Sequence, residues 1–281
     1  MFRRTDFGIA AEHQFYDVDY IAYCEGRGLT EHEMSLDEQF WQRVFRDCPF
    51  TVHCKSTGSV SNLRPLAQDI VDRDIKNTLV LMDRDYSDLK QTMIADDRVI
   101  YSFGYSWESD AVNQFNFDEI FNLFCTPRDL NTFRQSYSNY QQQLSVSLRR
   151  PYALDFKYID CPLNLFDRLK PLSIIELDSY DYPVLKTSTL LENARAIGKF
   201  QSGSLPGDVY QNCCGMRSFF GKAVAKMIYH WFVKASQAFD KANKISYNLF
   251  MSSVIRNIDL ADFTLERNRY FRQVTRQVAA L

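Results

Sequence analysis

Four short apolar runs, separated by segments of helical pattern, constrain the fold of this chain more than any other feature of its sequence. Tyr20-Ile-Ala-Tyr-Cys24 is apolar throughout and stops at Glu25-Gly26, as a strand buried on both faces does. Phe50–Cys54, Thr78–Met82 and Val99–Phe103 read the same way. Between the first two, Ser35-Leu-Asp-Glu38 is a capping box, and Phe40, Trp41, Val44 and Phe45 follow at helical spacing. Between the second and third, Ser61 or Asn62 caps a helix whose apolar face carries Leu63, Leu66, Ile70 and Val71, with Pro65 in its first turn. Strands joined by helices imply right-handed crossovers and a mainly parallel sheet, so an α/β fold is expected.

Beyond about residue 126 the pattern changes. Pro127–Leu148 is polar, rich in Gln, Ser and Tyr, and helical in character until Arg149-Arg150-Pro151. A short strand is expected at Ser173–Leu177, and helices at 217–237 and 246–280. The expected organisation is an α/β domain over 1–125 and a mostly helical, basic domain over 126–281. Charge divides at the same place. The whole chain has a net charge of −2, but 1–125 holds 12 Lys+Arg against 22 Asp+Glu, and 126–281 holds 21 against 13. Near-neutrality is therefore a cancellation of −10 and +8, and it does not exclude a polyanionic partner. With 281 residues, 46% of them hydrophobic, the chain can bury a sizeable core, and a disordered or collagen-like class is excluded.

The first residues carry Arg3 and Arg4 but then Asp6 and Glu12, with no apolar run behind them, so neither a signal nor a transit peptide is expected. No apolar stretch approaches the roughly 20 residues of a membrane-spanning helix. The seven cysteines are an odd number without zinc-finger spacing, and the four histidines are scattered. Reduced core thiols in a cytoplasmic protein are the expectation.

Parallel sheets gather functional residues at the carboxyl ends of their strands. Glu25 follows the first run, and Asp83 and Asp85 follow the third. Asp83-x-Asp85 supplies two hard oxygen donors suited to Mg²⁺ or Mn²⁺, and Glu25 could share the ion or move a proton. Glu108 and Asp110, after the fourth run, could extend the cluster. Gly26 lets the backbone turn closely around it. Taken alone, a D-x-D pair is as common on solvated loops as in metal sites; its position at a strand end favours the metal.

The order strand–Glu25-Gly26, then strand–Asp83-x-Asp85, resembles the Toprim catalytic domain of topoisomerases, primases and OLD-type nucleases. More narrowly, the chain resembles the AriB-type Toprim effectors of PARIS anti-phage systems, which are encoded beside an ABC-type ATPase of the AriA type. Asp83-Arg84-Asp85-Tyr86, Tyr105-Ser106-Trp107-Glu108-Ser109-Asp110 and Gly221-Lys222 carry that narrower likeness. It covers residues 18–125 well and the rest loosely. The resemblance implies that Glu25 is a general acid/base and that Asp83 and Asp85 hold Mg²⁺ for phosphodiester chemistry. It further implies an ATPase that holds the effector until a phage trigger releases it, cleavage of host tRNA, and a homodimer when active. Relatives often carry an Asp soon after E-G; here Arg27-Gly28-Leu29-Thr30-Glu31 intervenes, and Asp37 is the candidate for that position.

Other residues carry weaker expectations. Lys55 and Gly58 follow the second run and could contact phosphate. Arg84 could neutralise a transition-state phosphate or pair with its neighbours. Gly215 and Gly221-Lys222 fail as a Walker A loop, because the spacing is one residue too long and Ala223 replaces Ser/Thr. Arg267, Arg269, Arg272 and Arg276, beside Tyr270 and Phe271, form a helix suited to nucleic-acid phosphates or to an acidic partner. The alternatives to an RNA nuclease are an OLD-type DNA nickase and a non-catalytic regulatory subunit of an ATPase complex.

Overall fold

The computed structural model describes residues 6–26, 33–58, 60–113, 115–127, 129–161, 164–178, 182–198, 206–239 and 245–281. In chain order its first elements are α1 (Asp6–Ala10), α2 (Glu12–Tyr16), β1 (Tyr20–Cys24), α3 (Leu36–Phe45), β2 (Val52–Ser56), α4 (Val60–Asp72), β3 (Thr78–Met82) and β4 (Val99–Tyr101). There follow α5 (Trp107–Asn113), α6 (Phe117–Phe124), α7 (Leu130–Ser147), α8 (Arg149–Tyr158), β5 (Ile175–Leu177) and β6 (Pro183–Leu185). The remainder is α9 (Thr187–Ile197), α10 (Gly207–Asn212), α11 (Gly215–Ser218), α12 (Gly221–Ser236), α13 (Tyr247–Arg256) and α14 (Glu266–Val278). Among the described residues no helix is long and apolar enough to cross a membrane.

The chain forms two compact units: residues 1–103 with 258–281, and residues 104–257. The fold thus divides the chain elsewhere than at the expected 125/126. The expected helical stretch 246–280 is two helices, α13 and α14, interrupted at 257–265 and belonging to different units.

The first unit is the expected α/β layer structure. Its four strands are all parallel, in the order β2-β1-β3-β4. On one sheet face Ile21, Tyr23, Val80, Met82, Val99 and Tyr101 form a core with Leu63, Ala67 and Ile70 of α4. Strand geometry turns Ala22, Cys24, Leu79, Leu81 and Ile100 to the other face, and all are buried. Right-handed crossovers explain the two layers. The β1-α3-β2 step moves one way along the sheet and β2-α4-β3 moves the other, so α3 and α4 cover opposite faces.

α14 returns to the α3 side of this unit. Phe271 packs edge-on against Phe40 and Trp41 at 6.0 Å each. The Arg43 guanidinium donates to the Ile258 carbonyl (2.6 Å), and the Tyr270 hydroxyl donates to the Tyr101 carbonyl at the end of β4 (2.8 Å).

The second unit is mainly helical. α12 is its spine, with Val224, Ile228, Trp231 and Phe232 at most 1% exposed. Trp231 meets Tyr137 of α7 (5.0 Å), and Phe232 meets Phe250 of α13 (5.0 Å). A short antiparallel β5–β6 hairpin, preceded by a 3₁₀ turn at Pro171–Ile174, lies where one strand was expected.

Candidate functional site

Sheet topology explains why the acidic residues gather. The strand order 2-1-3-4 reverses direction between β1 and β3, and ligands of open α/β sheets bind outside the carboxyl ends at such a reversal. Cys24 pairs in register with Leu81. Glu25 is then level with Met82 and Asp83 with Gly26, so the two acids leave the carboxyl ends of neighbouring strands one residue apart in register, and both are partly buried. Asp85 adopts a left-handed backbone (φ 46°), which a short polar side chain tolerates, within a turn where Ser87 N–H donates to the Arg84 carbonyl at 2.8 Å.

Two glycines shape the adjoining edge. Gly26 (φ 105°) and Gly58 (φ 103°) exchange both backbone hydrogen bonds at 2.9 Å, closing the ends of β1 and β2 together. A Cβ on Gly26 would lie 3.0 Å from Asp37 Oδ2 and 3.2 Å from Ser35 Oγ. The Asp37 carboxylate therefore rests against the E-G turn, where a third acidic group was expected. Arg27–Thr30 and Glu31 lie outside the described residues.

Ser35 caps α3 as its spacing predicts, and Glu38 extends the arrangement. Its carboxylate accepts from Ser35 N–H (2.6 Å) and from Ser56 N–H (2.7 Å), tying the start of α3 to the end of β2. Burial pushes the Cys24 thiol far upward, and the charges of Cys54, Asp37 and Glu38 add to the shift, so this residue beside Glu25 stays a thiol. All seven cysteines are free.

Two cationic candidates have local partners. Arg84 turns toward β4: its backbone N–H donates to Ser102 Oγ (2.9 Å), its Nε donates to the Ser102 carbonyl (3.0 Å), and its guanidinium lies 5.3 Å from the Tyr270 ring. It braces the acidic turn against β4 and α14. Lys55 Nζ donates to Glu12 Oε1 at 2.7 Å, and Tyr23 OH donates to Glu12 Oε2 at 2.5 Å. Lys55 is thus held by the buried Glu12 of α2. Ser102 and Glu12 were not singled out from sequence; Glu38 was read only as the last residue of the capping box, and Tyr270 only as an aromatic neighbour of the α14 arginines.

Among the described residues no three His, Cys, Asp or Glu side chains stand together as a ready metal-binding group. The donor chemistry of Asp83 and Asp85 nonetheless fits Mg²⁺, which keeps several waters and is commonly held by one or two carboxylates plus substrate phosphates.

The remaining candidates have roles of their own. Glu108 and Asp110 belong to the second unit and are 3% and 2% exposed in the first turn of α5. Asp110 Oδ1 accepts from Gly104 N–H (2.7 Å), and Ser106 OH donates to Glu108 Oε2 (2.5 Å). Gly221 exists for packing: a Cβ there would fall 2.0 Å from Ser106 Oγ and 2.7 Å from Ser109 Oγ. Lys222, beside it, is exposed. On α14, Arg267 is 1% exposed and donates to Asn268 Oδ1 (3.0 Å) and the Asp259 carbonyl (3.2 Å), so it is a buried strut and not a phosphate ligand. Arg269, Arg272 and Arg276 are exposed.

Compared with protein-family models, with curated proteins and with solved structures, the chain gives no match.

Proposed function

We propose that the protein is a Mg²⁺-dependent endonuclease of the Toprim type that cuts RNA. The observation that carries this reading is that Glu25 and Asp83 both stand at the carboxyl ends of neighbouring parallel strands, at the reversal of strand order. Asp83 and Asp85 would hold the cation, with Mn²⁺ as a substitute. When bound, it would supply charge stabilisation at the scissile phosphate and lower the pKa of its water. Glu25 would hold or take the proton of the attacking group, and Asp37, resting on Gly26, would add negative charge to the same edge. Arg84 braces the turn that presents both aspartates.

The resemblance extends the proposal to biology: an effector of abortive anti-phage defence in the cytoplasm, held by an ABC-type ATPase and cleaving host tRNA on release, as a homodimer. Sequencing small-RNA ends from cells expressing wild type or Glu25→Gln tests it. New tRNA ends with wild type alone are expected, with the variant folded and non-toxic. Nicking of supercoiled plasmid without tRNA cleavage would make the protein a DNA nickase. ATPase binding that survives Asp83→Asn/Asp85→Asn, with no nucleic acid cut by wild type, would make it a regulatory subunit.

A further inference from the structure

The exposed face of α14 is a built groove. Arg269, Arg272 and Arg276, at i, i+3 and i+7, share one side of the helix and line a concave surface with Phe263, Gln273 and Gln277. Among the described residues that line it, none is acidic. Arg269 NH1 donates to the Phe263 (3.0 Å) and Thr264 (2.8 Å) carbonyls, and the Arg272 guanidinium lies 4.1 Å from the centre of the Phe263 ring.

The loop they grip is itself anchored from beneath. Asn268 Nδ2 donates to the Asp259 and Asp262 carbonyls at 2.9 Å each, and the buried Arg267 adds its bond to Asp259. The nearby Asp262 carboxylate accepts from Thr264 N–H (2.9 Å) and Thr264 OH (2.6 Å). A solvated charge run on a helix needs none of this anchoring. Two of these arginines are held in place before any ligand arrives, which lowers the ordering cost of binding.

We infer that this groove binds the phosphodiester backbone of the RNA strand. Arginine forks match phosphate oxygens, and the flanking Gln273 and Gln277 offer amide donors and acceptors to the sugar hydroxyls. From Arg269 to Arg276 the helix rises about 10 Å, enough to meet more than one phosphate of a strand. The same helix touches the acidic turn, since Tyr270, next to Arg269, carries the ring against Arg84. The inference rests on the nuclease reading for the identity of the strand, but its test does not.

Binding of a short labelled single-stranded RNA is measured by fluorescence anisotropy over a salt series, in an Asp83→Asn/Asp85→Asn background so that cleavage plays no part. Arg272→Gln/Arg276→Gln should weaken binding about tenfold or more at low salt. It should also reduce the slope of log K against log salt by about 0.7 for each phosphate that is no longer neutralised. Both side chains are exposed, so the variant should stay folded, with a melting temperature lowered by no more than about 2–4 °C through the lost contact with Phe263. Unchanged affinity and slope would overturn the inference. So would displacement of the RNA by polyglutamate at equal charge, which would mark the groove as a seat for an acidic protein. If the arginine variant loses RNA while wild type cuts none, the groove stands and the nuclease reading fails. If wild type cuts RNA and the arginine variant binds it as tightly, the reverse holds.

Discussion

At the scale of single residues, the acidic edge is held by backbone geometry as much as by charge. Gly26 combines a left-handed φ of 105° with two oxygen atoms 3.0 and 3.2 Å from where a Cβ would stand. Gly26→Ala should therefore cost about 1–3 kcal/mol, through backbone strain and displacement of Asp37, read as a lowered urea midpoint at constant m-value. Glu38 accepts two backbone N–H groups from within the core. Glu38→Ala would leave both donors buried without that carboxylate and should cost about 2–4 kcal/mol, at about 1–2 for each donor. A loss under about half a kcal/mol would show that solvent reaches the Ser35 and Ser56 amides. Asp83, Asp85 and Glu25 were legible because a strand that ends abruptly in an acid is a pattern in sequence. The contact of Tyr270 with Arg84 was not, because it joins residues far apart in the chain.

At the scale of elements, one substitution at two helix starts should give opposite results. Gly221 opens α12 against α5, and a Cβ would overlap Ser106 Oγ, so Gly221→Ala should destabilise by about 1–3 kcal/mol or more. Gly207 opens α10, and among the described residues a Cβ there meets nothing within 4 Å. Gly207→Ala should be neutral or stabilise by up to about 1 kcal/mol, because it restricts the unfolded chain. Thermal melts of both variants check the pair. β2 supplies a pH dependence. His53, stacked on Tyr16 at 4.0 Å, is held below its ordinary value chiefly by burial and then by Lys55. The unfolded chain then binds the proton first, so this contribution is complete above about pH 6.5 and is lost as pH falls toward the folded value. His53→Gln should flatten stability between about pH 7 and 5. The strands themselves were readable: β1 and β3 begin and end where their apolar runs do, because burial on both faces leaves no polar residue inside. β2 lies two residues later than its run predicts, since His53, Lys55 and Ser56 lie on a less buried strand.

At the scale of the whole molecule, the chain leaves the first unit after Phe103 and rejoins it at Ile258. Charge follows this division less sharply than the linear split. The first unit has 16 Lys+Arg against 21 Asp+Glu, a net of −5, and the second has 17 against 14, a net of +3. Four of the basic residues assigned to the helical half belong to α14, and so to the sheet. Sequence could not reveal this, because the apolar stripe of Phe271, Val274 and Val278 specifies a helix with a buried face but not the surface it covers. Removing residues 258–281 separates the two divisions. Those three side chains are each 8% exposed or less, and burying each contributes about 1.5–3 kcal/mol, an upper range for the unfolded reference used. Their sum rivals the roughly 5–15 kcal/mol that typically holds a domain folded. Hydrogen exchange on the truncated chain should therefore show protection lost in β1, β3 and α3 and retained in α12 and α13. A separate peptide of residues 258–281 should restore the sheet. Were the linear boundary at 125 the physical one, truncation would instead loosen α12 and α13 and leave the sheet protected.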